Sequence, residues 1–226
     1  MVMPRFSEAD HALVTEAVAR AERSSDGEIV TIVAQRSDSY HDVGLHYAVL
    51  AMLLVPTAAA LVPQAWIDWG LAIVFGWNAS LSFRLLMALL VVKMAVVFLL
   101  VRFAFAWMPL RMALTPASTR TRRVRRRAVE LFRAGTEKRT KGRTGILLYL
   151  SLLERRAEIV ADEAIHSRVE PDVWGDAMAA LVDGVKAGRP GEGMALAVGK
   201  MGEVLAQCLP PTLENPNELP DRLIEL

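Results

Sequence analysis

Acidic side chains at two places along the chain have the types and spacing to do chemistry. Asp162-Glu163 follows the apolar run Arg156–Ala161, with Glu158 inside it, while Asp26 and Glu28 border a second run, Glu28–Ala34. If both runs are strands of one sheet, Asp26, Glu28, Asp162 and Glu163 gather at one end of it. A cluster of carboxylate oxygens suits a hard divalent cation, Mg²⁺ or Ca²⁺, and a metal held there could assist hydrolysis of a phosphate ester. Arg143 is the nearby cation. The plainer reading of the same residues is an exposed acidic strand end with Arg143 as its counter-ion. A second candidate edge carries Glu154 and Arg155 at a hairpin turn, at the opposite end of the sheet near Arg36 and Asp38. Open α/β sheets bind ligands beyond the carboxyl ends of their strands; a turn salt bridge is the plainer reading of this pair.

Other reactive side chains carry weaker signals. His11, His41, His46 and His166 have no close ligand spacing. Cys208 sits on an apolar helical face with Val204, Leu205 and Leu209, which reads as packing rather than as a nucleophile. The chain has no G-x-S-x-G, P-loop or G-x-G-x-x-G run, and Gly188, Gly191 and Gly193 do not follow a strand, so they make a poor phosphate cradle. No complete nucleophile–base pair emerges from the sequence.

These residues need elements to position them. Ser7 with Asp10 marks a helix start, and Leu13, Val14, Ala17, Val18 and Ala21 give that helix one apolar face. Asp26-Gly27 is a turn signal and Glu28–Ala34 a β-branched strand. Thr115-Pro116 opens a helix whose face carries Val124, Ala128, Leu131 and Phe132. Gly145–Ser151 and Arg156–Ala161 read as a hairpin joined at 152–155. A helix follows Pro171, a glycine loop spans 188–193, and a last helix covers Met194–Leu209. The Pro- and acid-rich stretch 212–226 predicts a flexible tail. The strand at 28–34, the helix from 116 and the strand at 145–151 make a βαβ unit, which pairs its strands in parallel.

Composition adds a membrane to this picture. Of 226 residues 53% are hydrophobic, and the mean hydropathy is +0.30, too apolar for an ordinary soluble domain. Only Asp68, Arg84 and Lys93 carry charge between residues 43 and 101. Gly44–Pro63 and Phe83–Trp107 are each long enough to cross a hydrocarbon core about 30 Å thick. Between them, Gln64–Ser82 carries Trp66, Trp69 and Trp77, residues that favour the interface, and predicts a connecting, partly immersed segment. Two spans leave both flanks on one side, as the parallel pairing requires. The single cysteine excludes an internal disulfide, so nothing calls for an oxidising compartment.

Net charge is +1, but it is unevenly spread: residues 1–42 sum to −4, 102–143 to +11 and 144–226 to −7. Six arginines of the basic segment lie between positions 120 and 127: Arg120, Arg122, Arg123, Arg125, Arg126 and Arg127. They follow the second span closely, which places that flank and both termini in the cytoplasm and the spans in the inner (plasma) membrane. The run is expected to face anionic headgroups, each cation contributing about 1 kcal/mol near such a leaflet. No aromatics interleave for base stacking, so nucleic acid is an unlikely partner.

Thr140, Arg143, Thr144, Gly145, Ser151, Glu154, Arg155 and Asp162, spaced through TKGRTGILLYLSLLERRAEIVAD, resemble the hairpin of the TPM domain. That family includes photosystem II repair proteins and many bacterial membrane proteins. The resemblance covers 117–211 well and 7–36 loosely, and Trp174 and the 188–193 glycines fit its later part. It implies an α/β fold: a single TPM-like domain with a small mixed sheet flanked by helices, interrupted by a two-helix transmembrane hairpin as in one branch of the family. On this reading, residues 1–42 hold the first part of the domain, 43–107 the hairpin, 108–211 the main part and 212–226 the tail. Some members are associated with phosphatase activity or divalent-ion binding. Members in plants and the periplasm face a lumen or periplasm, whereas this domain is expected to face the cytoplasm. The expected function is that of a membrane-anchored accessory factor for a membrane complex, its domain binding a protein partner, an ion or a small ligand. The other expectation is a metal-assisted phosphate-ester hydrolase.

Overall fold

The structure, a computed structural model, describes residues 6–76, 82–135, 144–212 and 217–226, with only the backbone at position 171. Its elements run α1 (Glu8–Glu22), β1 (Glu28–Ala34), α2 (His41–Leu61), α3 (Gln64–Phe75), α4 (Phe83–Ala104), α5 (Met108–Leu114), α6 (Ala117–Gly135), β2 (Gly145–Ser151), β3 (Arg156–Ala161), α7 (Glu163–His166), a 3-10 turn (Pro171–Trp174), α8 (Gly175–Lys186), α9 (Pro190–Cys208) and β4 (Ile224–Glu225). They form two compact units, one from residues 1–38 with 117–226, the other from Ser39 to Pro116. The first is mixed α/β and the second is all helix.

In the α/β unit a four-stranded mixed sheet has the order β3-β2-β1-β4. β1 pairs parallel to β2 from Glu28↔Gly145 to Ala34↔Ser151, and β2 pairs antiparallel to β3. The parallel pair is the expected βαβ arrangement, and its strands are buried throughout, as a central parallel pair must be. Helices cover both faces. Val14, Val18, Leu181, Val198, Met201 and Leu205 of α1, α8 and α9 pack on one; Val124, Ala128 and Phe132 of α6 pack on the other. The start of α1 is fixed by a reciprocal capping box between Ser7 and Asp10.

The expected flexible tail is corrected by this sheet. β4 pairs parallel to β1 at Ile32↔Ile224 and Val33↔Glu225, and Leu219 and Leu223 are each 4% exposed. Burying two leucines and closing one edge of β1 outweighs the Pro- and acid-rich composition. The expected glycine loop also changes. α9 begins at Pro190, whose fixed φ suits a first helical turn, so Gly191 and Gly193 are helical. A Cβ on Gly184 of α8 would lie 2.4 Å from Gly193 Cα; the glycines are there because two helix backbones touch.

In the helical unit, α2 and α4 are long and apolar enough to cross a membrane. A buried core helix is the alternative for such runs, but α4 contains no buried residue, and Leu99, Leu100 and Phe103 are 62–82% exposed. The helices meet at Gly44, where a Cβ would stand 2.9 Å from Phe105 Cβ, and Tyr47 stacks on Phe105 at 5.0 Å. The expected connecting segment contains the helix α3, with Trp66 and Trp69 exposed; Trp77 lies outside the described residues. Arg111 is buried, donating to the carbonyls of Ser39 (2.6 Å) and Ala106 (2.8 Å) and reaching His41 Nδ1 at 3.2 Å. The unit therefore extends past the expected hairpin limits of 43 and 107 at both ends.

Candidate functional site

Both expected acid groups sit where the strand directions put them, at opposite ends of the sheet. At the amino end of the parallel pair, Asp162 N–H donates to Gly145 O and Glu28 N–H to Thr144 O. Asp162 and Glu28 therefore share an end, with β2 between them. Asp26 Oδ1 accepts the Thr212 N–H at 2.8 Å, and Glu28 Oε2 accepts the N–H groups of Glu218 (3.3 Å) and Leu219 (3.1 Å). Asp162 precedes α7 and is buried, while Glu163 opens that helix and is exposed. Among the described residues no group of three or more His, Cys, Asp or Glu could hold a metal ion. Amide N–H groups of the returning tail bond one oxygen each of Asp26 and Glu28. Arg143 lies outside the described residues.

The same end holds a carboxyl pair that the sequence reading missed. Glu22, at the end of α1, is buried, and its Oε1 accepts the Ile29 N–H at 2.8 Å. Its carboxyl is pushed up to about 8, first by burial, then by the charges of Glu28 and Asp221 and a side-chain hydrogen bond with Asp221. Burial also raises Glu28, against the two amide bonds it accepts. Glu22 is thus protonated at neutral pH and can donate to Asp221, which also accepts from Asn217 Nδ2 at 2.6 Å. His11 Nε2 lies 2.6 Å from Glu225 Oε1 and adds a further tie to β4. Nothing local in the sequence joins Glu22 to Asp221; only the closure of β4 on β1 does.

At the carboxyl end, Glu154 is 4% exposed and turned inward. Its Oε1 accepts the Ser37 N–H at 3.0 Å, and its Oε2 accepts from Ser151 Oγ. Ser37 Oγ is 3.0 Å from Tyr149 OH, and burial pushes the Tyr149 phenol above its usual range. Glu154, the carboxylate of the second candidate edge, thus joins a network of hydroxyl, carboxyl and amide groups that ties the residues after β1 to the β2–β3 hairpin. Arg155 occupies the left-handed region, φ 50°, within the turn, a conformation that costs a side-chain-bearing residue about 1 kcal/mol or more.

The arginine run divides. Arg123 is nearly buried, its Nη1 2.9 Å from Asp38 Oδ2. Arg126 reaches Asp38 (3.6 Å) and Glu130 (3.5 Å), and Arg127 reaches Glu130 (3.6 Å). Arg122 and Arg125 are exposed and Arg120 is partly so. Arg123, expected to face lipid with the other five, has its side chain 15% exposed and paired with Asp38. Cys208 is partly buried, and its thiol is raised by burial, away from the range of a reactive thiolate.

Neither a protein-family model nor a curated protein matches the sequence. A solved structure resembles the fold: the NMR structure of BA42 protein from the psychrophilic bacterium Bizionia argentinensis, with a TM-score of 0.55, 15% identity, and coverage of 98% of this chain and 95% of that one. At that identity the likeness is one of fold alone.

Proposed function

We propose that this chain is a membrane-anchored, TPM-like accessory protein. Its α/β domain binds a protein partner beside the membrane and so supports a membrane complex. The carrying observation is that residues on both sides of two apolar, surface-exposed helices build one sheet, with β1 parallel to β2. Two crossings return the chain to the side it left, and the domain stays tethered at the bilayer surface. We place that side in the cytoplasm because the basic segment follows α4, with Arg122 and Arg126 toward anionic headgroups. The metal-assisted hydrolase draws no support from the sheet end that was to carry it, where tail amides hold Asp26 and Glu28.

The test is isolation of the tagged full chain from its native membrane after mild crosslinking, beside a version containing only residues 39–116. The reading expects a stoichiometric partner with the full chain alone. It is overturned if no protein is retained and the purified chain instead releases phosphate from p-nitrophenyl phosphate with Mg²⁺, with the activity lost in Asp162→Asn.

A further inference from the structure

β3 is an outer strand of the sheet, and its free side is shaped to be filled. The Asp162 N–H bond to Gly145 O sets the alternation of the antiparallel ladder. Gly145/Asp162, Leu147/Val160, Tyr149/Glu158 and Ser151/Arg156 are the hydrogen-bonded pairs. The main-chain groups of Ala157, Ile159 and Ala161 therefore point outward, and among the described residues they have no backbone partner. Such an edge is a template for another strand unless it is blocked.

An open groove of about 450 Å³ runs along this edge. One wall is α6, with Arg125 and Val129; the other is formed by His166, Trp174 and Met178. The walls differ in chemistry. On the Trp174 side, Ala157, Ile159 and Ala161 pack on the apolar core. On the α6 side stand Arg125, Arg156 and Glu158, two cations against one acid. Arg156 Nε is buried without a hydrogen-bond partner among the described residues. Glu158 is shifted up by burial, against the pull of those arginines.

We infer that the free edge of β3 receives an extended segment of a partner protein as a fifth strand, with alternate residues apolar toward Trp174 and Met178 and acidic toward Arg125 and Arg156. Strand addition draws affinity from main-chain bonds and selectivity from alternate side chains. The inference rests on the partner-binding reading above and names its site.

The probe is a fluorescein-labelled nonapeptide alternating leucine with aspartate, titrated by anisotropy against the full chain in detergent micelles. Two controls accompany it, one with lysine for aspartate and one N-methylated at alternate peptide bonds. The aspartate peptide is expected to bind at least tenfold more tightly than the lysine peptide, and N-methylation to abolish binding. Arg125→Glu, a change at an exposed helix position, is expected to reverse the order of the two charged peptides. The inference is overturned by equal binding of the charged peptides, by binding that survives N-methylation, or by a dimer in native mass spectra that Arg125→Glu dissolves. A partner retained from membranes regardless of Arg125→Glu overturns the β3 site and leaves the accessory-factor reading standing. Peptide binding without any retained partner does the reverse.

Discussion

The carboxylate of Glu28 accepts the backbone N–H of Leu219 at 3.1 Å, across 191 positions of sequence. Together with the Glu218 N–H it turns the first residue of β1 into a clamp on the returning tail. Glu28→Ala leaves two amides unpaired, which costs about 1–3 kcal/mol, whereas Glu28→Gln keeps an acceptor and loses less. Urea unfolding gives the order, and hydrogen exchange at the Leu219 amide localises it. Unchanged exchange at Leu219 in the alanine variant refutes the clamp.

Glu22 makes that end pH-dependent. Its folded value of about 8 lies above the ordinary 4.5, so the folded state holds a proton that the unfolded chain has released. The associated stability is complete below about pH 4.5 and declines until about pH 8. Glu22→Gln preserves the acceptor for Ile29 and removes the titration. The variant is expected to be more stable than the parent at pH 8–9, by roughly 1–2 kcal/mol after allowance for solvent screening, with no advantage near pH 4. Equal pH profiles for parent and variant would count against a protonated Glu22.

Three strands match their sequence expectation residue for residue, 28–34, 145–151 and 156–161, because each is a β-branched or apolar run closed by a turn signal. The same local reasoning failed where the determinant is distant. Leu219 and Leu223 have no periodicity to betray a strand among prolines and acids; what orders them is the open side of β1. Gly191 and Gly193 read as a loop because a glycine required by a helix crossing looks the same in sequence as one required by a turn. The acids were placed at the correct end of the sheet, but which groups those carboxylates would hold depended on a tail expected to be loose.

The α8–α9 crossing is a sharp test of that correction. Gly184→Ala raises helix propensity by about 1 kcal/mol, yet its methyl would meet Gly193 Cα at 2.4 Å. Net destabilisation of about 1–3 kcal/mol is expected. A loop at 188–193 would instead accept the alanine without loss, and thermal melting separates the two.

Topology is read by single cysteines in a Cys208→Ser background. Placed at Glu8, Ile73 and Arg189, they meet an impermeant maleimide in intact cells. Labelling at 73 alone is expected. Labelling at only one of positions 8 and 189 would put β1 and β2 on opposite sides and break the parallel pair.

Splitting the sheet around the hairpin also sets a timetable. The ribosome releases β1 about 110 residues before β2, which at 5–20 residues per second is roughly 6–20 s. Through that interval a largely apolar strand has neither neighbour. On the membrane-anchored reading, insertion of α2 and α4 precedes assembly of the sheet, and biogenesis of this protein depends on whatever shields β1 while it waits.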